Sequence, residues 1–174
     1  GKNGLQQAID RRGGQIHIGA GGGAAAQFVK QANERHGRKQ QDRIAITHGR
    51  VPVGHVIVDR NGPVCICGNR GCLEAMANRP AIISNAKRIV KNNRDPIMQQ
   101  VVDDDPSQIT LKHIAEAADA GSVFAKELIQ STADHLAFAI RNQSVVMDIR
   151  KVVFGGEAAI DLGPLLMQYL NEYL

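Results

Sequence analysis

The three cysteines of this 174-residue chain, Cys65, Cys67 and Cys72, fall within eight consecutive positions, and His55 stands ten residues before the first of them. The pattern is H-x9-C-x-C-x4-C, one imidazole and three thiols. Zinc takes tetrahedral sets of thiolate and imidazole, and structural sites are closed sets such as Cys3His. Gly62-Pro63 and the glycines at 68 and 71 supply the tight turns needed to bring thiols so near in sequence onto one ion, where turn amides can donate to sulfur. Membership and spacing point to a structural zinc held by His55, Cys65, Cys67 and Cys72, against the alternative of three buried or incidental cysteines. A catalytic thiol fits less well, because a nucleophile needs a partner base and has no use for two neighbouring thiols.

Other residues capable of chemistry carry plainer readings. Asp103-Asp104-Asp105 sits beside Pro106 in a polar stretch and reads as a solvated loop, since hard-cation sites need spaced ligands as well as charge. His17, His113 and His135 have no nameable partner, and His48 lies near a ligand set already full without it. The glycines at 21 to 23 follow the strand pattern of Gln15 to Ala20 and read as a strand ending in a glycine loop.

The elements that must position these groups follow from periodicity. Gln15 to Ala20 alternates apolar and polar residues, and Arg43 to Thr47 and His55 to Asp59 read as two further short strands, the last closed by Asn61-Gly62-Pro63. A polar, helix-compatible stretch runs from Gln27 to Gln41. From Pro80, a residue suited to a first turn, Ile82, Ile83, Ala86, Ile89 and Val90 share one helical face that should end near Asn92 to Pro96. Val101 to Gln108 reads as a loop, with Ser107 or Thr110 capping a short helix through Ala118. A long core helix is expected from Ser122 to about Asn142, then a buried strand at Val152 to Phe154, a Gly155-Gly156 turn and a helix beginning near Gly163-Pro164. Strand, glycine turn and helix in that order make an α/β unit.

Composition narrows the function classes. Hydrophobic residues are 43% and charged residues 22%, as in globular domains, and no apolar run approaches the roughly 18 residues of a membrane span. The first residues lack the apolar centre of a secretory signal, so a cytoplasmic, membrane-free protein is expected, in which clustered cysteines are ligands more often than disulfides. The net charge of +4 is scattered, and with 3% aromatics and no tryptophan it reads as a solvated basic face, not a nucleic-acid platform. The length suits one core, and the final helical pattern runs to the last residue without a cap, so a fragment of a longer protein is expected.

The run Gly54-His55, then Cys65-x-Cys67-Gly68-x-x-Gly71-Cys72-x-Glu74, resembles the zinc signature of the ROK family, whose name joins repressors, open reading frames and kinases. The likeness continues through EAMANRPAI and ITLKHIAEAADAGSVFAKELIQ to KVVFGGEAAIDLGPLL, dividing the chain into a poorly matched segment, residues 1–53, and a ROK-type zinc and sugar-binding C-terminal portion, residues 54–174. The resemblance implies an α/β, actin-like ATPase (ribonuclease H-like) domain with a zinc-bound loop, in which a hexose or amino sugar meets ATP and magnesium. It places Glu74 on a glutamate that hydrogen-bonds sugar hydroxyls, and His55 both on a zinc ligand and beside the sugar. It also sets Gly155 and Gly156, with Gly19, Gly21 and Gly22 of the glycine loop, near the nucleotide. A dimer is implied, and DNA binding only if a helix-turn-helix exists in the parent protein.

Two departures stand against a working kinase. Pro52 occupies the position, three before His55, where family kinases carry a second sugar-binding glutamate. No Asp-x-Gly-Gly-Thr phosphate motif appears, and no segment carries the aspartate that would take the sugar proton. The resemblance therefore implies either the C-terminal part of a sugar kinase or part of a sugar-responsive regulator.

Overall fold

The computed structural model describes residues 7–12, 15–20, 53–92, 94–147, 151–154 and 157–174. Strand β1 (Gln7–Arg12) pairs antiparallel with β2 (Gln15–Ala20), setting Ile9 opposite Ile18 and Asp10 opposite His17. Strand β3 (Lys151–Phe154) pairs antiparallel with the other edge of β1, giving the order β2-β1-β3. The strands expected at 15–20 and 152–154 are present. Strand β1 has no counterpart in the periodicity reading, because Gln7-Ala8-Ile9-Asp10-Arg11-Arg12 holds one β-branched residue and no alternation. The segments expected at 27–41 and 43–47 lie outside the described residues, as do Gly21, Gly22, Pro52, Gly155 and Gly156.

The other described residues are mainly helical. Helix α1 is Leu73–Ala77, α2 Arg79–Lys91, α3 Pro96–Val101, α4 Leu111–Asp119, α5 Val123–Met147, α6 Glu157–Asp161 and α7 Gly163–Tyr173. Their starts are chemically marked. Asn78 Oδ1 accepts from the Ala81 amide at 2.8 Å and Pro80 sits in the first turn of α2, so α2 opens on a satisfied amide and a residue that needs none. Thr110 Oγ1 accepts from the His113 amide at 3.3 Å at the start of α4, and Ser122 Oγ from the Ala125 amide at 2.9 Å at the start of α5.

Helix α3 stands where the sequence pattern predicts only the end of one helix and the start of a loop. Six residues are too few to show a period, and what starts α3 is Asp95, whose Oδ1 accepts from the Ile97 and Met98 amides at 2.9 and 3.1 Å. The acidic run that follows is a loop as expected: Asp103 and Asp104 are exposed with positive φ, and Asp105 Oδ1 accepts from the Ser107 amide.

Helix α5 is the axis of the core and packs against α1, α2, α4 and α7. Its buried face carries Ala125, Ile129, Ala133, Leu136, Ala137 and Ile140, against which Ile82, Leu111, Ile114, Leu166 and Leu170 belong to the same buried cluster. Alanines on α5 let neighbouring helices approach closely, while each fully buried Ile or Leu contributes about 1.5–3 kcal/mol of transfer free energy. Through α1, this core fixes the end of the cysteine loop.

Candidate metal centre

The stretch Val53–Glu74 is a loop folded back on itself and delivered onto α1. It opens with a single 3₁₀ turn, Val53–His55, buried through Val53, whose carbonyl accepts from the Val56 amide at 3.1 Å. The strand expected at His55 to Asp59 is therefore absent. Its β-branched residues suit a strand, but the opposing segment offers only one residue at bridge geometry, Cys72 opposite Ile57, and the Val58 and Asp59 amides converge on one carbonyl, that of Gly71, at 2.8 and 3.2 Å. A strand needs a row of partners and finds none here.

Asp59 then makes the first turn, its Oδ1 accepting from the Asn61 amide at 2.9 Å and its carbonyl from the Gly62 amide at 3.0 Å. A second, tighter turn holds the thiols: the Cys65 amide donates to the Asn69 carbonyl at 2.7 Å, the Gly68 amide to the Cys65 carbonyl at 2.9 Å, and Val64 bridges Arg70. Gly71 closes the loop, its amide donating to the Pro63 carbonyl at 2.8 Å. It must be glycine, because its φ is +66° and a Cβ there would lie 1.4 Å from the Asp59 carbonyl oxygen.

Folding the loop this way gathers all four residues of the H-x9-C-x-C-x4-C pattern. His55 Nδ1 lies 3.6 Å from Cys65 Sγ, Cys67 Sγ lies 3.5 Å from Cys72 Sγ, and one donor atom from each residue falls within 4.8 Å of the others. A tetrahedral ion with metal–sulfur bonds of about 2.3 Å has ligand–ligand edges of about 3.8 Å, so this set fits a zinc-sized ion after small closures. Cys65 and Cys72 are buried, whereas His55 and Cys67 are exposed. Burial, and then the neighbouring thiols, push the Cys72 thiol up to about 12; the Asn69 backbone N–H chiefly holds the exposed Cys67 thiol below its ordinary value. Thiols crowded this closely favour protonation of the buried one, which a bound cation reverses.

Glu74 is the second residue of α1, exposed, and two residues beyond Cys72. Its carboxylate returns across the loop to the backbone before His55: a Cβ built on Gly54 would stand 2.6 Å from Glu74 Oε2. Gly54 is thus a residue whose part the sequence displayed only as half of the Gly-His pair. Gly19 lies in β2, and the nucleotide glycines Gly21, Gly22, Gly155 and Gly156 lie outside the described residues. His113 and His135 lie on α4 and α5, away from the cysteine loop in sequence, and the His113 Nδ1 atom is buried with no hydrogen-bond partner among the described residues.

The geometry can be set beside that of known proteins. Residues 44–173 match the ROK family. The chain is 35% identical over 121 residues to an N-acetylmannosamine kinase of Pasteurella multocida, covering 68% of this chain and 35% of that protein. It is 29% identical over 122 residues to a xylose repressor of Caldicellulosiruptor bescii, covering 70% and 30% respectively. The crystal structure of a ROK family glucokinase from Streptomyces griseus in complex with glucose and AMPPNP superposes with a TM-score of 0.57 at 25% identity, covering 75% of this chain and 42% of that one. The chain thus spans about a third of the length of the curated relatives it matches. With three quarters of its residues inside the family match and its α/β fold shared with a family structure, the chain belongs to the ROK family.

Proposed function

We propose that His55, Cys65, Cys67 and Cys72 hold a structural zinc and that residues 54–174 are the zinc and sugar-binding portion of a ROK-type sugar kinase, which in its whole form transfers phosphate from ATP, with magnesium, to a hexose or amino sugar. The observation that carries this reading is the return of the Glu74 carboxylate to Gly54, beside His55. Four protein ligands leave the metal no open position, so zinc supplies cross-linking of the loop and no Lewis-acid chemistry. The chain's own residues supply the recognition. Glu74 can accept from two adjacent sugar hydroxyls, and as a charged acceptor it makes stronger bonds than a neutral group would. The hydrogen bonds at Gly71, whose carbonyl accepts from the Asp59 amide and whose amide donates to the Pro63 carbonyl, hold the start of α1, and with it the direction of Glu74. Gly19, Gly21, Gly22, Gly155 and Gly156 belong to the same proposal as the backbone that lies near the phosphates. No residue of this chain is assigned to take the sugar proton, and the transfer is placed in a longer protein. Cytoplasmic location and a dimer complete the reading; no described helix is long and apolar enough to cross a membrane.

A second reading, a sugar-responsive transcriptional regulator or non-catalytic sensor, is favoured by Pro52 in place of a sugar-binding glutamate and by the likeness to a xylose repressor. DNA would then be bound by a helix-turn-helix of the parent protein. Metal analysis of protein purified without added metal, followed by calorimetric titration with glucose, N-acetylglucosamine and N-acetylmannosamine, tests the site common to both. One zinc per chain and binding of any of these sugars is the expected result. Zinc without sugar binding removes Glu74 from the proposal, and absence of zinc removes the ligand set. Added ATP separates the two readings in the whole protein, since a kinase yields the sugar phosphate and a sensor does not.

A further inference from the structure

The four ligands differ in how solvent meets them. Cys65 and Cys72 are 4% and 0% exposed, while Cys67 lies on the surface with its sulfur 3.5 Å from that of Cys72. A small oxidant arriving from water therefore meets one thiol of the three, and that thiol has a buried partner in van der Waals contact. We propose that Cys67 is an oxidation site for a peroxide and that Cys72 resolves it, so that formation of a Cys67–Cys72 disulfide expels the metal. The inference rests on the zinc reading of the same four residues.

The step balances with one peroxide. The Cys67 thiolate attacks one peroxide oxygen; an S–O bond forms, the O–O bond breaks, and the departing hydroxide takes a proton to become water, leaving a sulfenic acid. The Cys72 sulfur then attacks Cys67; the S–S bond forms, the S–O bond breaks, and the second oxygen leaves as water. The two sulfurs lose two electrons to the peroxide, and two thiolates with two protons from solvent become one disulfide and two waters. A disulfide sulfur is no zinc ligand, so His55 and Cys65 alone would remain of a set that needs four.

The loop permits this closure and directs it. The sulfurs must approach from 3.5 Å to about 2.0 Å. The Cys72 side is pinned, with the Gly71 carbonyl accepting from the Val58 and Asp59 amides and the Leu73 amide donating to Val56. The Cys67 side chain is exposed, on a turn held by the Gly68 amide donating to the Cys65 carbonyl, so its sulfur is the one free to move. Cys65 is a poorer resolving thiol, being one residue from Cys67 and set against the His55 ring at 3.6 Å.

The test uses the 174-residue chain itself. Metal content is measured first, then hydrogen peroxide is added stepwise with a chromogenic zinc chelator present, and the products are alkylated and mapped by mass spectrometry. Expected are one zinc released per peroxide consumed, a Cys67–Cys72 disulfide with Cys65 alone alkylated, and recovery of zinc binding after dithiothreitol and fresh zinc. A zinc-loaded chain that keeps its metal under excess peroxide overturns the inference and leaves the zinc reading standing. So does zinc loss with a disulfide through Cys65, or with Cys67 carried to the sulfinic acid unpaired. A chain carrying no zinc at the outset overturns both.

Discussion

Gly54 and Glu74 meet across twenty positions of sequence, with Glu74 Oε2 lying 2.6 Å from where a Cβ on Gly54 would stand. The contact joins the residue before His55 to the second residue of α1. Gly54→Ala makes the carboxylate move, and because that atom is the far end of a flexible, exposed side chain, the fold need not. The melting temperature should stay within a few degrees and zinc should be retained, while sugar affinity falls as it does in Glu74→Gln. Calorimetry with the best-bound sugar checks this; unchanged affinity in both variants would make Glu74 an ordinary first-turn glutamate stabilised by the helix dipole.

Gly71→Ala should behave differently. The added methyl meets the Asp59 carbonyl, which is backbone, and does so at a φ of +66° that side chains disfavour. The loop must open, at a cost of about 3 kcal/mol, and the metal should be lost with it. Chemical unfolding with zinc analysis on the same samples would show both losses together. A stable, metal-replete Gly71→Ala protein would contradict the loop geometry.

Metal binding and stability are one quantity if zinc is structural. Cys67→Ser should lower zinc content and melting temperature together, and so should a strong chelator acting on the unmodified chain. A stable mutant that keeps its zinc would take Cys67 out of the ligand set.

Proton release gives an independent reading of the thiols. With Cys72 pushed up to about 12 by burial and its neighbours, that thiol is protonated at neutral pH without metal, and loading zinc must expel its proton. Zinc affinity should therefore rise with pH, and the binding heat should depend on the buffer's ionisation enthalpy. The sign for the metal-free fold is opposite. A raised thiol contributes stability below its ordinary value, and that contribution is lost as pH climbs through the ordinary range towards 12. Zinc uptake with no proton release would mean that Cys72 is not a ligand.

Away from the cysteine loop, Asp95 and Ser122 form a buried polar pair that starts two helices at once. The Ser122 hydroxyl donates to Asp95 Oδ2, Asp95 Oδ1 takes the first amides of α3, and Ser122 Oγ takes the Ala125 amide of α5. Arg94 lies over the Phe124 ring at 5.2 Å, tying the same two segments. Asp95→Ala should cost about 3 kcal/mol and Ser122→Ala about 1–2 kcal/mol, with the double variant costing less than the sum because both lose one network. Urea unfolding of the three variants measures the coupling; strict additivity would show that the two caps act separately.

The sequence alone carried the four residues that the fold gathers, because H-x9-C-x-C-x4-C closes within one short loop whose turns are made by its own glycines and Asp59. It carried α2, α4, α5 and α7 for a similar reason, since helical hydrogen bonds are local and the buried faces repeat over enough residues to show a period. Tertiary structure decided what depends on distant partners. The residues of β1 become a strand by pairing along their whole length with the adjoining β2 and with β3, far along the chain, while the strand-like residues from His55 to Asp59 do not, since Gly71 gives two amides a single carbonyl. Helix α3 exists because Asp95 is buried and held by Ser122, and Glu74 is aimed at Gly54 because the core packs α1 against α5. Spacing can reveal which residues are able to bind a metal; the direction of a carboxylate across a loop is set only when the segments at its two ends are packed together.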